Sequence, residues 1–182
     1  MEKYSRIKAL ISLDAIRYNF EQMKKNIKEG TKIIAVIKAD AYGHGAVPIA
    51  RMLEEFDYIW GFAAATAREA LQLRRAGITR PILILGLGFE EYYKELIAHE
   101  DVRMAVCDYE TARKFNKAAE AAGKKGLIHL AADTGMTRIG FKDSEESLEE
   151  IRRIAALPNV EIEGLFTHFA RADEYDRTPA MV

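Results

Sequence analysis

The chain has 182 residues, 49% hydrophobic and 30% charged, which excludes a wholly disordered protein and favours a single domain. Its 27 basic and 28 acidic side chains give a net charge of −1, which argues against nucleic acid or an anionic membrane as a partner. A single cysteine, a charged N-terminus and the lack of any long apolar run predict a soluble, cytoplasmic protein without an internal disulfide.

Short apolar runs typical of strands alternate along the chain with longer amphipathic segments typical of helices. The first segment predicts a short strand followed by a helix capped by Ser12 or Asp14. The later strand candidates are 33–39, 58–63, 81–86, 102–107, 126–132 and 160–169, and the helix candidates between them are 47–56, 66–76, 90–98, 109–122 and 144–156. Continuous apolar strands alternating with helices predict a parallel sheet covered on both faces.

The spacing of the strand candidates matches one βα unit each time, because successive runs begin 21 to 34 residues apart. Six such units fit a doubly wound open sheet. They also fit the first part of an eight-stranded βα barrel, which usually needs about 250 residues. The motifs described next favour the barrel, which then stops short of its last strands.

Lys38 ends the first long apolar run and is the first candidate for chemistry. With a period of two it shares a face with Ile34 and Val36, so its amine emerges at the carboxyl end of a strand, where active sites of βα folds gather. An apolar surround disfavours an ammonium ion, and such a lysine can attack a carbonyl. A lysine that merely extends from a strand end is the alternative. Gly43 and Gly45 favour the functional interpretation, because a glycine-rich loop lets backbone approach a ligand.

Arg138 follows the fifth strand candidate among apolar and small residues, where an unpaired guanidinium would be costly. We expect it to face an anionic ligand, or else to form a structural ion pair with Asp133 or Asp143. The Asp-Thr-Gly triplet in this segment also occurs in aspartic proteases, which need two facing carboxylates in an all-β setting. The βα context gives that hypothesis little weight.

His168 lies near the end of the sixth strand candidate, at the same rim as Lys38 and Arg138. A histidine on a strand is more often packed and hydrogen-bonded than catalytic, but the shared rim favours a functional role. The remaining histidines have no ligand spacing to a second metal-binding side chain, so we predict no metal site: His44, His99 and His129.

Three segments, AVIKADAYGHG, DTGMTRIGF and EGLFTHFARAD, resemble the signature blocks of alanine racemase in order and in position at strand ends. The likeness extends over the whole chain. The resemblance implies an α/β fold, namely a (β/α)8 TIM-type barrel that binds pyridoxal 5′-phosphate (PLP), followed by a C-terminal β-domain in a homodimer. It implies interconversion of L- and D-alanine, with D-alanine supplied for peptidoglycan. Residues 1–182 would then be a truncated N-terminal barrel domain of about six βα units.

The resemblance also implies roles for individual residues. Lys38 would hold PLP as a Schiff base and act as the base on one face of the substrate. Tyr42 would hydrogen-bond the cofactor phosphate, and His168 would pack against the pyridine ring. Arg138 would reach both the phenolic oxygen of the cofactor and the carboxylate of the substrate. The third strand would line the cofactor pocket with Leu83 and Leu85.

One position departs from the family pattern. Many members carry a lysine, often carbamylated, two residues before the aspartate of the Asp-Thr-Gly block, and it steadies the arginine. Here that position is Ala131, so another group or an ion supports Arg138, or its placement is looser.

The resemblance further implies that the second catalytic base is a tyrosine from the partner subunit's C-terminal region, beyond residues 1–182. We therefore expect residues 1–182 alone to be inactive in racemisation. Three alternatives stay open: a PLP-binding protein without racemase activity, a serine or broad-specificity racemase, and a barrel enzyme that uses Lys38 toward a sugar or keto acid without PLP.

Overall fold

The computed structural model describes residues 7–99 and 101–172. The strands are β1 Ile33–Val36, β2 Ile59–Ala64, β3 Ile82–Leu87, β4 Val102–Val106, β5 Gly126–Ala132 and β6 Val160–Thr167. The helices are α1 Leu13–Lys25, α2 Lys38–Tyr42, α3 Ala46–Leu53, α4 Ala67–Arg75, α5 Tyr93–Ala98, α6 Tyr109–Ala121 and α7 Glu145–Ala155, with a 3₁₀ turn at Glu90–Tyr92. Among the described helices, none is long and apolar enough to cross a membrane.

The six strands form one parallel sheet in the order in which they occur along the chain, β1-β2-β3-β4-β5-β6. A doubly wound sheet would reverse its strand order part-way across. Sequential order with a helix after each strand is the arrangement of a βα barrel. The topology therefore favours the barrel over the open sheet.

The two faces of the sheet have different neighbours. On the helix side, Phe62, Ile84 and Ile128 are fully buried in one apolar core together with helix residues such as Leu71 and Phe115. Alternate residues of the same strands point to the concave side, which follows from the period of two along a strand. The apolar core thus fixes which side chains reach the concave side.

Local sequence signals set the helix starts. The Thr66 hydroxyl accepts the N–H of Glu69, and the Glu69 carboxylate accepts the N–H of Thr66, which is a complete capping box for α4. The Ser12 hydroxyl accepts the N–H of Ala15 at 3.2 Å, so Ser12 rather than Asp14 caps α1. Asp108 and Ser144 cap α6 and α7 in the same way.

The short strand predicted before α1 is not formed. Residues 7–12 have no regular secondary structure, and Ile7 and Leu10 are largely exposed. A strand needs a hydrogen-bonded neighbour, and no described strand pairs with this segment. The prediction was wrong because local apolar character alone cannot supply a partner.

Three strands, β1, β4 and β6, end earlier than predicted. For β1 and β6 the difference places a candidate residue just beyond the strand. The backbone leaves the extended region at Ile37, with φ −122° and ψ 26°, so β1 ends at Val36 and Lys38 begins α2. The last strand ends at Thr167, and His168 follows it directly.

Candidate active site

A cavity of about 340 Å³ opens at the carboxyl ends of the strands. Its lining includes every residue that the sequence predicted for the site: Lys38, Tyr42, Leu83, Leu85, Arg138 and His168. Much of the remaining wall is apolar: Ile34, Val36, Ala63, Ala131, Met136, Ile139 and Phe166. Small-molecule sites have volumes of about 300–1,000 Å³ and apolar walls with a few convergent polar groups, so this cavity suits a small ligand.

Lys38 enters the cavity from the end of β1. It lines the same wall as Ile34 and Val36, as the period of two predicted. The Lys38 side chain is half-buried, and its Nζ atom lies 6.0 Å from the centroid of the Tyr42 ring. The phenol ring therefore stands next to the amine.

The segment after Lys38 forms one turn of left-handed helix, whereas the sequence predicted a glycine-rich loop. Four consecutive non-glycine residues, Ala39 to Tyr42, have φ between 50° and 56°, a region that costs roughly 1–2 kcal/mol for each L-residue. Gly43 and Gly45 continue with φ of 84° and 92°, which a glycine adopts freely. Such a turn persists only where its surroundings hold it.

Arg138 reaches the cavity from the loop after β5 and is exposed. The ion pair considered as an alternative, with Asp133 or Asp143, does not form within this described loop. The Asp133 carboxylate instead accepts the N–H groups of Gly135 at 3.1 Å and Thr137 at 2.8 Å. Asp133 thus shapes the loop and leaves the guanidinium directed to the cavity.

His168 lines the cavity from the end of β6, where the backbone is tied to the neighbouring strand. The Thr167 hydroxyl donates to the Ala132 carbonyl oxygen at 2.9 Å and accepts from the Thr134 hydroxyl at 2.6 Å. This chain of hydrogen bonds joins the ends of β5 and β6, and it fixes the peptide that leads into His168.

Ala131 is buried and presents only a methyl group to the cavity. No carboxylate within the described residues forms an ion pair with Arg138. Ala131 therefore offers Arg138 no charged or hydrogen-bonding side chain.

Sequence reasoning missed a charged cluster that lies deeper in the concave side, toward the amino ends of the strands. The Arg103 guanidinium donates two hydrogen bonds of 2.7 Å to Glu163, and His129 Nε2 lies 2.9 Å from the same carboxylate. The Arg103 guanidinium also stacks over the Trp60 ring at 5.2 Å. The hydrogen bonds from Arg103, aided by those from His129, lower the pKa of Glu163 to about 2 despite the opposing effect of burial.

A signal for this cluster was present in the sequence. Arg103 interrupts an otherwise apolar strand, and the sixth strand carries two carboxylates, Glu161 and Glu163. A buried arginine needs a carboxylate partner, so Arg103 could have been assigned to one of these two once the strand order was known. The cavity lining does not include this cluster.

The family described as alanine racemase, N-terminal domain, matches residues 11–181. The chain belongs to this family. The alanine racemase of Clostridium tetani is 44% identical to it over 170 residues, which is 93% of this chain and 43% of that protein. The resemblance carried by the three sequence blocks is therefore confirmed.

Solved structures agree with the barrel. An alanine racemase from Clostridium difficile 630, in complex with cycloserine, superposes with a TM-score of 0.87 at 45% identity and covers 90% of this chain and 44% of that one. A histidine racemase from Leuconostoc mesenteroides subsp. sake gives a TM-score of 0.81 at 30% identity, covering 91% of this chain and 44% of that one. The chain thus has the fold of the N-terminal part of an alanine racemase barrel, and it spans somewhat under half the length of these relatives.

Proposed function

We propose that the protein is a PLP-dependent alanine racemase, in which Lys38 carries the cofactor and D-alanine is supplied for peptidoglycan. One observation carries the proposal: the cavity of an alanine racemase-family barrel gathers an amine, a phenol, a guanidinium and an imidazole from three separate loops. The activity is that of the full-length protein, in the cytoplasm and as a homodimer. Residues 1–182 are its truncated N-terminal barrel domain and are expected to be inactive alone.

The residues of the cavity fit PLP. The cofactor is flat, aldehyde-bearing and anionic, so it needs an amine, hydrogen-bond donors for its oxygens and apolar walls for its ring. Lys38 supplies the amine, Tyr42 and Arg138 supply donors, and Leu83 and Leu85 supply apolar wall. When bound, PLP supplies an electron sink for negative charge at the substrate Cα.

Each side chain then has a distinct task. Lys38 Nζ would hold the cofactor through its aldehyde carbon until the substrate amine displaces it, and the freed Lys38 amine would then accept the Cα proton from one face of the substrate. Tyr42 would donate to the cofactor phosphate, and His168 would pack against the ring and orient it. Arg138 would hold the substrate carboxylate with its planar guanidinium, which suits bidentate recognition.

Racemisation needs a proton to leave from one face and another to return to the opposite face. Lys38 enters the cavity from the β1 side and can serve one face only. The second base is expected to be a tyrosine from the partner subunit, as the family resemblance implies. Because residues 1–182 supply only one of the two bases, we expect no racemisation from them alone.

Substrate choice has one competing candidate, a racemase that acts on serine or on several amino acids. The histidine racemase that superposes with this chain shows that the same barrel occurs in a racemase named for a larger substrate.

Incubation of the full-length protein with PLP in D₂O tests the proposal. We expect L-alanine to give D-alanine carrying deuterium at Cα, with serine and histidine turned over more slowly. Visible absorbance of bound cofactor without inversion of any amino acid would instead indicate a PLP-binding protein that is not a racemase. Turnover without bound PLP would favour a different barrel enzyme.

Replacement of Arg138 by lysine should lower kcat/KM for alanine about 10- to 150-fold, equivalent to roughly 1.5–3 kcal/mol for a charged hydrogen bond. Lysine keeps the charge but loses the planar fork. The matched control is Arg152→Lys on α7, where the side chain is mostly exposed. Steady-state kinetics give kcat/KM for alanine in both variants. Equal kcat/KM values for Arg138→Lys and Arg152→Lys would show that Arg138 has no role in substrate binding.

A further inference from the structure

The peptide bond between Lys38 and Ala39 is held by a carboxylate from another βα unit. Glu69 Oε1 accepts the N–H of Ala39 at 2.8 Å. Glu69 Oε2 accepts the N–H of Ala65 at 2.7 Å and that of Thr66 at 3.1 Å. One side chain at the start of α4 therefore joins the end of β2 to the turn that carries Lys38.

The hydrogen bond from Ala39 to Glu69 lies at the point where the backbone φ angles become positive. Left-handed φ values begin at Ala39, immediately after Lys38. Rotation of the peptide between these residues would change φ of Ala39 and let the strained turn relax toward ordinary conformations. The hydrogen bond to Glu69 opposes that rotation at its first residue.

One backbone hydrogen bond, from the Ala41 N–H to the Ile37 carbonyl oxygen at 2.9 Å, spans Lys38, and the side-chain restraints other than Glu69 act further from it. Asp40 Oδ1 accepts the N–H of Ala46 at 2.7 Å, and the Asp40 carbonyl oxygen accepts the N–H of Gly45 at 2.8 Å. These bonds close the far end of the turn onto α3. Glu69 is the side chain that restrains the near end, next to the amine-bearing residue.

We propose that Glu69 is a positioning residue for Lys38: its carboxylate stabilises the left-handed turn and so fixes where the Lys38 side chain enters the cavity. The proposal deepens the PLP-dependent function proposed above and rests on it for the role of Lys38. A carboxylate suits the task because its two oxygens accept three N–H groups at once, and because a negative charge at N3 is favourable at the start of α4.

A purely structural role of Glu69 as the cap of α4 predicts something different. The capping box has a second half, the Thr66 hydroxyl that accepts the N–H of Glu69. Thr66→Ala weakens the same cap and leaves the Ala39 contact in place. It is therefore the matched control for Glu69→Gln, which keeps the size of the side chain but offers one acceptor oxygen instead of two.

The test measures two quantities in the full-length protein. The first is amide hydrogen exchange at Ala39 and Gly43 without added PLP, followed by mass spectrometry or NMR. The second is the rate at which PLP and borohydride label Lys38, with melting temperatures as the measure of global stability. Glu69→Asp provides a second variant, since it keeps the charge but is shorter by one methylene group.

We expect both Glu69 variants to speed exchange at Ala39 and to slow labelling of Lys38 about tenfold, the factor of one charge-assisted hydrogen bond. Thr66→Ala should leave both within about twofold, although it lowers the melting temperature comparably. Equal effects of Thr66→Ala and Glu69→Gln, or unchanged exchange at Ala39, would overturn the proposal. Failure of the wild-type protein to label Lys38 would refute the PLP function instead, and the exchange measurement would still decide the role of Glu69.

Discussion

Replacement of Lys38 by alanine is expected to abolish covalent PLP attachment and to lower kcat for alanine racemisation at least a thousandfold, roughly the contribution of a proton-transferring side chain that is also the covalent anchor. The expectation rests on position, because Lys38 enters the cavity that also receives Arg138 and His168. The loss should appear in kcat and in the visible absorbance of the protein, with the melting temperature little changed.

The matched control for Lys38→Ala is Lys32→Ala. Lys32 precedes the opposite end of β1, where its Nζ donates to the Asp57 carbonyl oxygen at 2.7 Å. This variant removes a lysine from the same segment without touching the cavity, and we expect wild-type turnover. A Lys38→Ala protein that keeps its visible absorbance and its turnover would show that another residue binds the cofactor.

The second large effect concerns stability. Glu163→Gln should lower the free energy of unfolding by about 2–4 kcal/mol, because it removes the two short charged hydrogen bonds of the buried Arg103 guanidinium and leaves it only a 3.4 Å contact with the exposed Asp101. The Arg103 side chain is 8% exposed and that of Glu163 is 29% exposed. Urea unfolding of the full-length protein measures the difference. Glu161→Gln, an exposed carboxylate on the same strand, is the control and should change stability by less than about 0.5 kcal/mol.

The Arg103–Glu163 ion pair also predicts that the free energy of unfolding falls at acidic pH. The pKa of Glu163 is lowered from 4.5 to about 2 in the folded protein, so its contribution is fully present above pH 4.5 and is lost as the pH falls from 4.5 toward 2. The stability difference between wild type and Glu163→Gln should therefore shrink over that range, by about 2 kcal/mol once solvent screening of this partly exposed group is considered. A difference in the free energy of unfolding that stays constant between pH 4.5 and 2 would contradict the Arg103–Glu163 ion pair.

Much of the fold could be predicted because its signals are local. The apolar runs predicted β1 and β6, and because parallel strands share one carboxyl edge, Lys38 and His168 were placed at one rim before any strand order was known. The capping residue Ser12 and the capping box at Thr66 and Glu69 are likewise signals within four residues. Sequential strand order, in contrast, depends on contacts between distant segments, so the pattern of strands and helices fitted both the barrel and the open sheet, and the resemblance of the three motifs favoured the barrel.

The features that sequence reasoning missed have non-local causes. Of the residues Ala39-Asp40-Ala41-Tyr42, only Asp40 is of a type that tolerates left-handed backbone, which L-residues otherwise avoid. The turn is hydrogen-bonded at Ala39 to Glu69, 30 residues away along the chain. Arg103 and Glu163 are 60 residues apart and meet only because two strands lie on the same concave surface. Both cases show tertiary contacts that override local preference.

The central claim is that Lys38 binds PLP covalently, and one measurement tests it most directly. The full-length protein is loaded with PLP, reduced with borohydride, digested and mapped by mass spectrometry. We predict a single modified lysine, Lys38, within the segment AVIKADAYGHG. Modification of a different lysine, or none at all in a protein that racemises alanine, would contradict the account.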